Sequence, residues 1–233
     1  GVIRLYLQPA GEKVKQYWPR VTVGKVTSAE DAVPVDLDGD GTLDIVSSCE
    51  GKTRTLYVHW GPKDKSKLLD ENAWTTEAFP HSVGKHLWMF ALPLQVDGVR
   101  GIDLVVGTKG SGGGVGCFYS PEDPRELAAW KFEMSHKMGW LMSLQAQDIN
   151  DDDAPDVLLS NRQPPSRGVY WLESPAASTD GKSRSLTDWK LRRLGSADRE
   201  FMFLARGDLS GNGRAEVLCA VKGRGLQRFT PPD

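Results

Sequence analysis

The stretch VDLDGDGTLDIVSS, residues 35–48, decides the fold. Asp36, Asp38, Asp40 and Asp44 fall at positions 1, 3, 5 and 9 of a loop relieved by Gly39 and Gly41, and the loop runs straight into the apolar DIVSS. Odd spacing in a tight turn points alternate oxygens at one centre, while glycine permits the turn. Three further stretches align with it on a final acidic residue: LQVDGVRGIDLVVGT (94–108), AQDINDDDAPDVLLSN (146–161) and RGDLSGNGRAEVLCAV (206–221). Asp44, Asp103, Asp156 and Glu216 are therefore spaced by 59, 53 and 60 residues.

Between the acidic loops, other pieces recur. An aromatic strand ending in Pro follows each one: LYVHWGP, VGCFYSP, VYWLESP and LQRFTPP. Trp74, Trp130 and Trp189 then open an alternating segment, and LWMFAL, WLMSLQ and FMFLAR lead into the next loop. Each unit thus holds four short strands: A before the acidic loop, B after it, C ending in Pro and D opening at Trp. Four strands in roughly 40 to 60 residues are expected to form one blade of a β-propeller, so the fold class is all-β, with four-stranded antiparallel blades. The tryptophan opening strand D is read as a wedge between blades.

The units lie near 32–85, 86–138, 139–199 and 200–233, the last completed by 1–31, within a single domain spanning 1–233. VIRLYLQP and QYWPRVTVG at the start match strands C and D, while the end supplies A, B and C, giving 17 expected strands. About four blades are therefore present, either as a closed four-bladed ring with one strand spare or as part of a larger propeller of about six to eight blades. Gly rather than Met at residue 1 favours a fragment.

Composition bounds the function. The 233 residues carry 29 basic and 31 acidic side chains, a net charge of -2, which argues against nucleic acid as the main partner. No apolar run reaches the roughly 18 residues of a membrane span. With 25 Gly, 14 Pro and 8 Trp the chain is cut into short segments with bulky filling between them. Cys49, Cys117 and Cys219 form no close-spaced pair and read as buried apolar side chains.

Clustered carboxylates need a cation, and an all-oxygen set suits Ca²⁺. The expected ligands are Asp36, Asp38, Asp40, the Thr42 carbonyl and Asp44; then Asp148, Asn150, Asp152, the Ala154 carbonyl and Asp156. Asp208, Ser210, Asn212 and Glu216 form a weaker third set with two fewer charges than the first. Gln95, Asp97, Val99 and Asp103 offer too few oxygens, so that loop is expected to be metal-free. The loops DLDGDGTLDIV and DINDDDAPDVLL resemble those of the FG-GAP or VCBS repeat family, found in integrin α-chain heads and in bacterial exported proteins. The resemblance implies structural calcium joining strands A and B, and an extracellular or periplasmic address. It leaves the activity open, because such propellers serve as adhesion modules, lectins, polysaccharide lyases or sugar dehydratases.

Strand direction puts the BC and DA loops at the end opposite the acidic loops. Glu50, Lys109, Arg162 and Lys222 open the BC loops, with Lys52, Arg54, Arg167 and Arg224 nearby. The DA loops add His81, Lys85, His86, His136, Lys137 and Arg199, against Glu30, Asp31 and Glu200. His81, His86, Lys109, His136, Arg162, Arg199 and Lys222 are the candidate ligand contacts, suited to an anionic glycan or an acidic protein segment. The main reading is a calcium-stabilised binding or scaffolding module. The alternative is a lyase or dehydratase in which a rim histidine acts as base and Lys or Arg steadies an enolate. GSGGGVG (110–116) lacks the GxGxxG register and is read as a flexible loop.

Overall fold

A computed structural model describes residues 1–175, 184–195 and 198–230. It shows 17 strands in five antiparallel sheets, with short 3-10 turns as the only helical elements among the described residues. None of these is long and apolar enough to cross a membrane.

Sheet I pairs β1 (Val2–Tyr6) with β2 (Arg20–Lys25). Sheet II is a meander of β3 (Ala29–Val35), β4 (Asp44–Cys49), β5 (Leu56–Trp60) and β6 (Thr75–Ala78). Sheet III runs through β7 (Leu87–Leu94), β8 (Asp103–Lys109), β9 (Gly114–Tyr119) and β10 (Lys131–Lys137), and sheet IV through β11 (Leu141–Gln147), β12 (Asp156–Asn161), β13 (Gly168–Glu173) and β14 (Lys190–Arg193). Sheet V has three strands, β15 (Phe201–Gly207), β16 (Glu216–Val221) and β17 (Gly225–Phe229). Every expected strand is present, although each D strand begins one residue after its tryptophan.

The sheets stack in chain order, with β3, β7, β11 and β15 as neighbours. Second strands such as DIVSSC and DVLLSN are buried along their whole length, because both faces meet another sheet and neither can be polar. Ile3, Val21, Val23, Ile45 and Cys49 fill the layer between sheets I and II around Trp74. Val46, Val58, Leu104 and Phe118 fill the next around Trp130, and Val105, Cys117, Leu159 and Leu172 the third around Trp189. Leu158, Trp171, Val217 and Cys219 close the fourth. The three D-strand tryptophans are buried wedges facing the preceding sheet, as the sequence suggests. At roughly 25 cal/mol per Å² of apolar surface, each is among the larger single contributions to its layer. All three cysteines are free and buried.

In sheets II to V the first strand slips register against the second near its start, at Ala29/Asp31, Trp88/Phe90, Leu141/Ser143 and Phe201/Leu204. A bulge there steepens the local twist and turns the loop that follows β6, β10 or β14 toward the next sheet. Sheet I meets sheet II differently. Gly24 lies so close to the buried His59 that a Cβ would fall 2.1 Å from its Nδ1, and His59 itself bonds Ser47 Oγ at 2.9 Å and Thr76 Oγ1 at 2.8 Å.

Candidate functional site

The acidic loops all lie at one end of the stack. In the 36–44 loop, left-handed Gly39 and Gly41 (φ 71° and 83°) fold the chain so that Gly41 N–H donates to Asp36 Oδ2 at 2.9 Å and Thr42 N–H to Asp40 Oδ1 at 2.9 Å. The Thr42 hydroxyl donates to the same Asp40 oxygen and is the main reason that this carboxyl sits below its ordinary range. Oxygens of Asp36, Asp38 and Asp40 come within 4.8 Å of one another. Asp36 Oδ1 is buried and has no hydrogen-bond partner. A carboxylate oxygen withdrawn from water without a donor is costly, and a cation is what would satisfy it. This loop therefore fits a hard divalent ion.

Part of the charge is already met by the protein. Arg125, from the connection between β9 and β10, places Nε 2.5 Å from Asp38 Oδ2 while its guanidinium lies 4.5 Å above the centre of the Trp60 ring. Lys63 Nζ is 3.8 Å from Asp40. Arg125 does not stand out in the sequence as a loop partner, because its contact exists only once sheets II and III are stacked, whereas Lys63 reaches the loop from within sheet II.

The ninth position has a different task. Asp44 accepts from Leu37 N–H at 3.1 Å and from Gly61 N–H at 2.8 Å, fastening its own loop to the end of β5. Asp103 does the same with Val96 and Ser120 at 2.8 Å each, and Asp156 with Ile149 at 3.0 Å and Ser174 at 2.8 Å. Burial pushes Asp44 and Asp156 up to about 6, against the pull of these N–H donors, and raises Asp103 in the same way. Glu216 takes Leu209 N–H and the Ser210 hydroxyl, both at 2.8 Å, and is held below its usual range by them. Because the clamp recurs at Asp103, in a loop short of metal ligands, it belongs first to the fold.

The 148–156 loop repeats the backbone of the first with Asp151 and Asp153 at φ 58° and 66°, where the first and last loops carry glycine. Asp148 accepts from the Asp152 and Asp153 N–H groups, the Asn150 amide donates to Asp152 at 2.8 Å, and Ala154 N–H donates to Asp152 Oδ1 at 2.9 Å. In the 208–216 loop Asp208 accepts from Gly211, Asn212 and Gly213, and its carboxyl is lowered chiefly by the Gly213 N–H. Ser210 there is turned onto Glu216, and Asn212 accepts from Arg214 N–H at 2.9 Å. Among the described residues, only the 36–44 loop brings three acidic side chains within 4.8 Å. In the 95–103 loop the Gln95 amide donates to the carbonyls of Arg100 and Gly101, and its oxygen accepts from Gly98 N–H.

At the opposite end, the expected cations fall into a row that crosses sheets. Lys109 forms an ion pair with Glu50 and lies 4.8 Å above Trp140; Arg162 lies 4.7 Å above the same ring. Arg162 Nε is 2.8 Å and Lys222 Nζ 3.1 Å from Glu200, and the two cations hold that carboxyl below its usual range. Beyond the row, Arg167, Arg199, Lys222 and Arg224 line a cavity of about 340 Å³ together with Asp198 and Glu200. Arg199 donates to Gln227 at 3.0 Å and its Nε lies 3.8 Å from Asp198 Oδ1, beyond hydrogen-bond distance, while Arg167 Nε is buried without a hydrogen-bond partner.

The histidines do not join this row. His81 bonds the Ala128 carbonyl at 3.0 Å, in the connection between β9 and β10. His86 packs on Trp88 and Phe132 at 5.1 and 5.6 Å, and burial, aided by Lys85, lowers its pKa. His136 lies within β10, bonded to Ser135 Oγ at 2.7 Å and also lowered by burial. Each is occupied in packing between or along strands, so the expected convergence of histidine with lysine and arginine reduces to a cluster of cations. Trp140, the platform that orders the cations, escapes sequence reading because Lys109 and Arg162 reach it from two different sheets.

No protein-family model and no curated protein matches this chain.

Proposed function

We propose that the chain is a run of β-propeller blades of the FG-GAP or VCBS kind, calcium-stabilised, exported, and acting as a binding module for an anionic ligand such as an acidic glycan. The observation that carries the binding reading is the cavity between sheets IV and V lined by Arg167, Arg199, Lys222 and Arg224. Arg167 Nε there has no hydrogen-bond partner, and Arg199 Nε has only the Asp198 carboxylate at 3.8 Å. Carboxylate or sulfate oxygens would supply the missing acceptors, and a guanidinium takes such groups in a planar, two-point fashion that fixes orientation. Glu200 keeps Arg162 and Lys222 in place, so the ligand meets an ordered set of cations rather than loose side chains.

Calcium enters as a stabiliser. Asp36, Asp38 and Asp40 would hold it in the first loop, with Asp148, Asn150 and Asp152 as the second set; bound there, the ion neutralises the carboxylates. The lyase or dehydratase reading requires a histidine beside the cations, and the contacts of His81, His86 and His136 lie elsewhere, so binding is the function that the arrangement favours.

Isothermal titration with uronate and sulfated oligosaccharides, and with neutral oligosaccharides of equal length, tests this. Binding confined to the acidic sugars, weakened at least tenfold in Arg167→Ala and Arg199→Ala, is expected. Equal binding of neutral sugars, or retention of full affinity in both variants, overturns it.

A further inference from the structure

At the acidic-loop end, sheets II and III meet through a filled space and sheets III and IV through an open one. The positions that define the space are matched in the sequence. Tyr119 stands where sheet II has Trp60, one residue before the clamp donor, and Asp97 stands where it has Asp38, at the third loop position. Arg184 precedes Trp189 by five residues, as Arg125 precedes Trp130. At the first boundary the arginine lies 4.5 Å above the Trp60 ring and bonds Asp38, so side chains close the gap. At the second, Arg184 donates from its guanidinium to the Pro175 carbonyl at 2.8 Å and from its backbone N–H to the Asp97 carbonyl at 3.2 Å. A cavity of about 580 Å³, lined by Tyr119, remains.

Its lining has two characters. Tyr119 and Pro121 give it an apolar wall. The tyrosine is fixed at its far end: its hydroxyl takes the Leu186 N–H at 2.8 Å and lies 3.2 Å from Ser185 Oγ, which donates to Glu133 at 2.6 Å. Arg100, Lys131 and Arg184 line the cavity against one acid, Asp97, whose Oδ1 already accepts from Val99 N–H. Arg100 and Lys131 are exposed, and among the described residues no acid pairs with either. Arg100 and Val99 occupy the loop positions that are Gly41 and Asp40 in sheet II. The loop with too few oxygens for a metal therefore carries a cation beside the groove where sheet II presents acids.

We propose that this cavity binds a carboxylate carried on a ring, with the flat apolar face of the ring against Tyr119 and the carboxylate between Arg100 and Lys131. The volume holds a single ring with room for its substituents. A neutral ring gains the aromatic contact and nothing from the two cations, whereas a carboxylate without a ring has only exposed ion pairs, which contribute little one at a time. The wall and the two unpaired cations together select the class. A uronic acid sugar and an aromatic acid share this chemistry. The site lies at the opposite end of the stack from Arg167 and Arg199 and does not rest on the ligand proposed there.

Amide NMR titration of the whole chain with glucuronate and benzoate, and with glucose and benzyl alcohol as their uncharged counterparts, tests it. At least one acid is expected to shift the Gly101, Ser120 and Ser185 amides saturably and to bind at least tenfold more tightly than its counterpart; which acid does so identifies the source of the ring. A double variant, Arg100→Gln with Lys131→Gln, changed only at exposed side chains and so folded, is expected to lose at least tenfold in affinity. Arg167→Ala is expected to leave the shifts intact, so that failure of the other cavity and failure of this one are seen separately. Neither acid shifting these amides, equal affinity for an uncharged counterpart, full affinity in the double variant, or shifts that vanish in Arg167→Ala overturns the proposal.

Discussion

Sheets II and III share a plan and differ in two places. Both carry a clamp, Asp44 or Asp103, with the same two backbone partners in register. Around it, sheet II sets Asp36, Asp38 and Asp40, whereas sheet III sets Gln95, Asp97 and Val99, with Gln95 turned inward onto its own loop. Across the sheet, the row Ser47, His59 and Thr76 in sheet II corresponds to Val106, Phe118 and Phe132 in sheet III. The clamp is therefore what the fold needs, and the first, third and fifth loop positions and the polar row are what sheet II adds.

The sharpest way to break this comparison is to remove both clamps. Asp44→Ala and Asp103→Ala each leave buried N–H groups unpaired and are expected to cost about 3 to 5 kcal/mol in urea unfolding, with or without calcium. A small loss for Asp103→Ala would make the clamp dispensable. Next comes the polar row. Burial lowers His59 to about 4 from an exposed value of 6.5, so the unfolded chain takes up the proton first as pH falls. The stability due to neutral His59 is complete above pH 6.5 and is lost progressively toward pH 4, about 3 kcal/mol in all. His59→Gln is expected to flatten that part of the stability profile, and an unchanged profile would remove the row from the account.

Calcium follows in size. At a hundredfold excess over Kd, one ion adds about 2.7 kcal/mol. Asp38→Asn should remove most of the first loop's share of the calcium-induced rise in thermal midpoint, and Asp97→Asn should leave the rise intact. The smallest effect belongs to Arg125. Its bond to Asp38 is partly exposed, so Arg125→Ala is expected to cost at most about 1 kcal/mol without calcium and less with it, read from paired melts.

The strands were legible because the pattern that makes them is local: an acidic turn, a buried apolar run, an aromatic strand ending in Pro, then a tryptophan. Trp74, Trp130 and Trp189 could be named as wedges from spacing alone, since bulk at the start of an otherwise exposed strand has few other uses. The clustering of Asp36, Asp38 and Asp40 was legible for the same reason. The clamping role of the ninth residue was not, because Gly61, Ser120 and Ser174 reach it only after β4 and β5, or their equivalents, pair. At the rim, the charges are visible in the sequence and their arrangement is not. Lys109 with Glu50, and Arg162 with Glu200, are bridges between sheets, and a sequence shows charges without showing which sheet edge they cross. His86 and His136 were drawn toward the rim by their position after strand D or at its end, yet Trp88, Phe132 and Ser135 claim them.

Cys49, Cys117 and Cys219 sit in three different inter-sheet layers: between I and II, between III and IV, and between IV and V. Burial pushes the Cys49 and Cys219 thiols up to about 11 and Cys117 well above its ordinary value, so none reacts while its layer is shut. The chain thus carries three silent clocks. Timed alkylation followed by peptide mapping would give a separate opening rate for each layer and show from which end the stack comes apart.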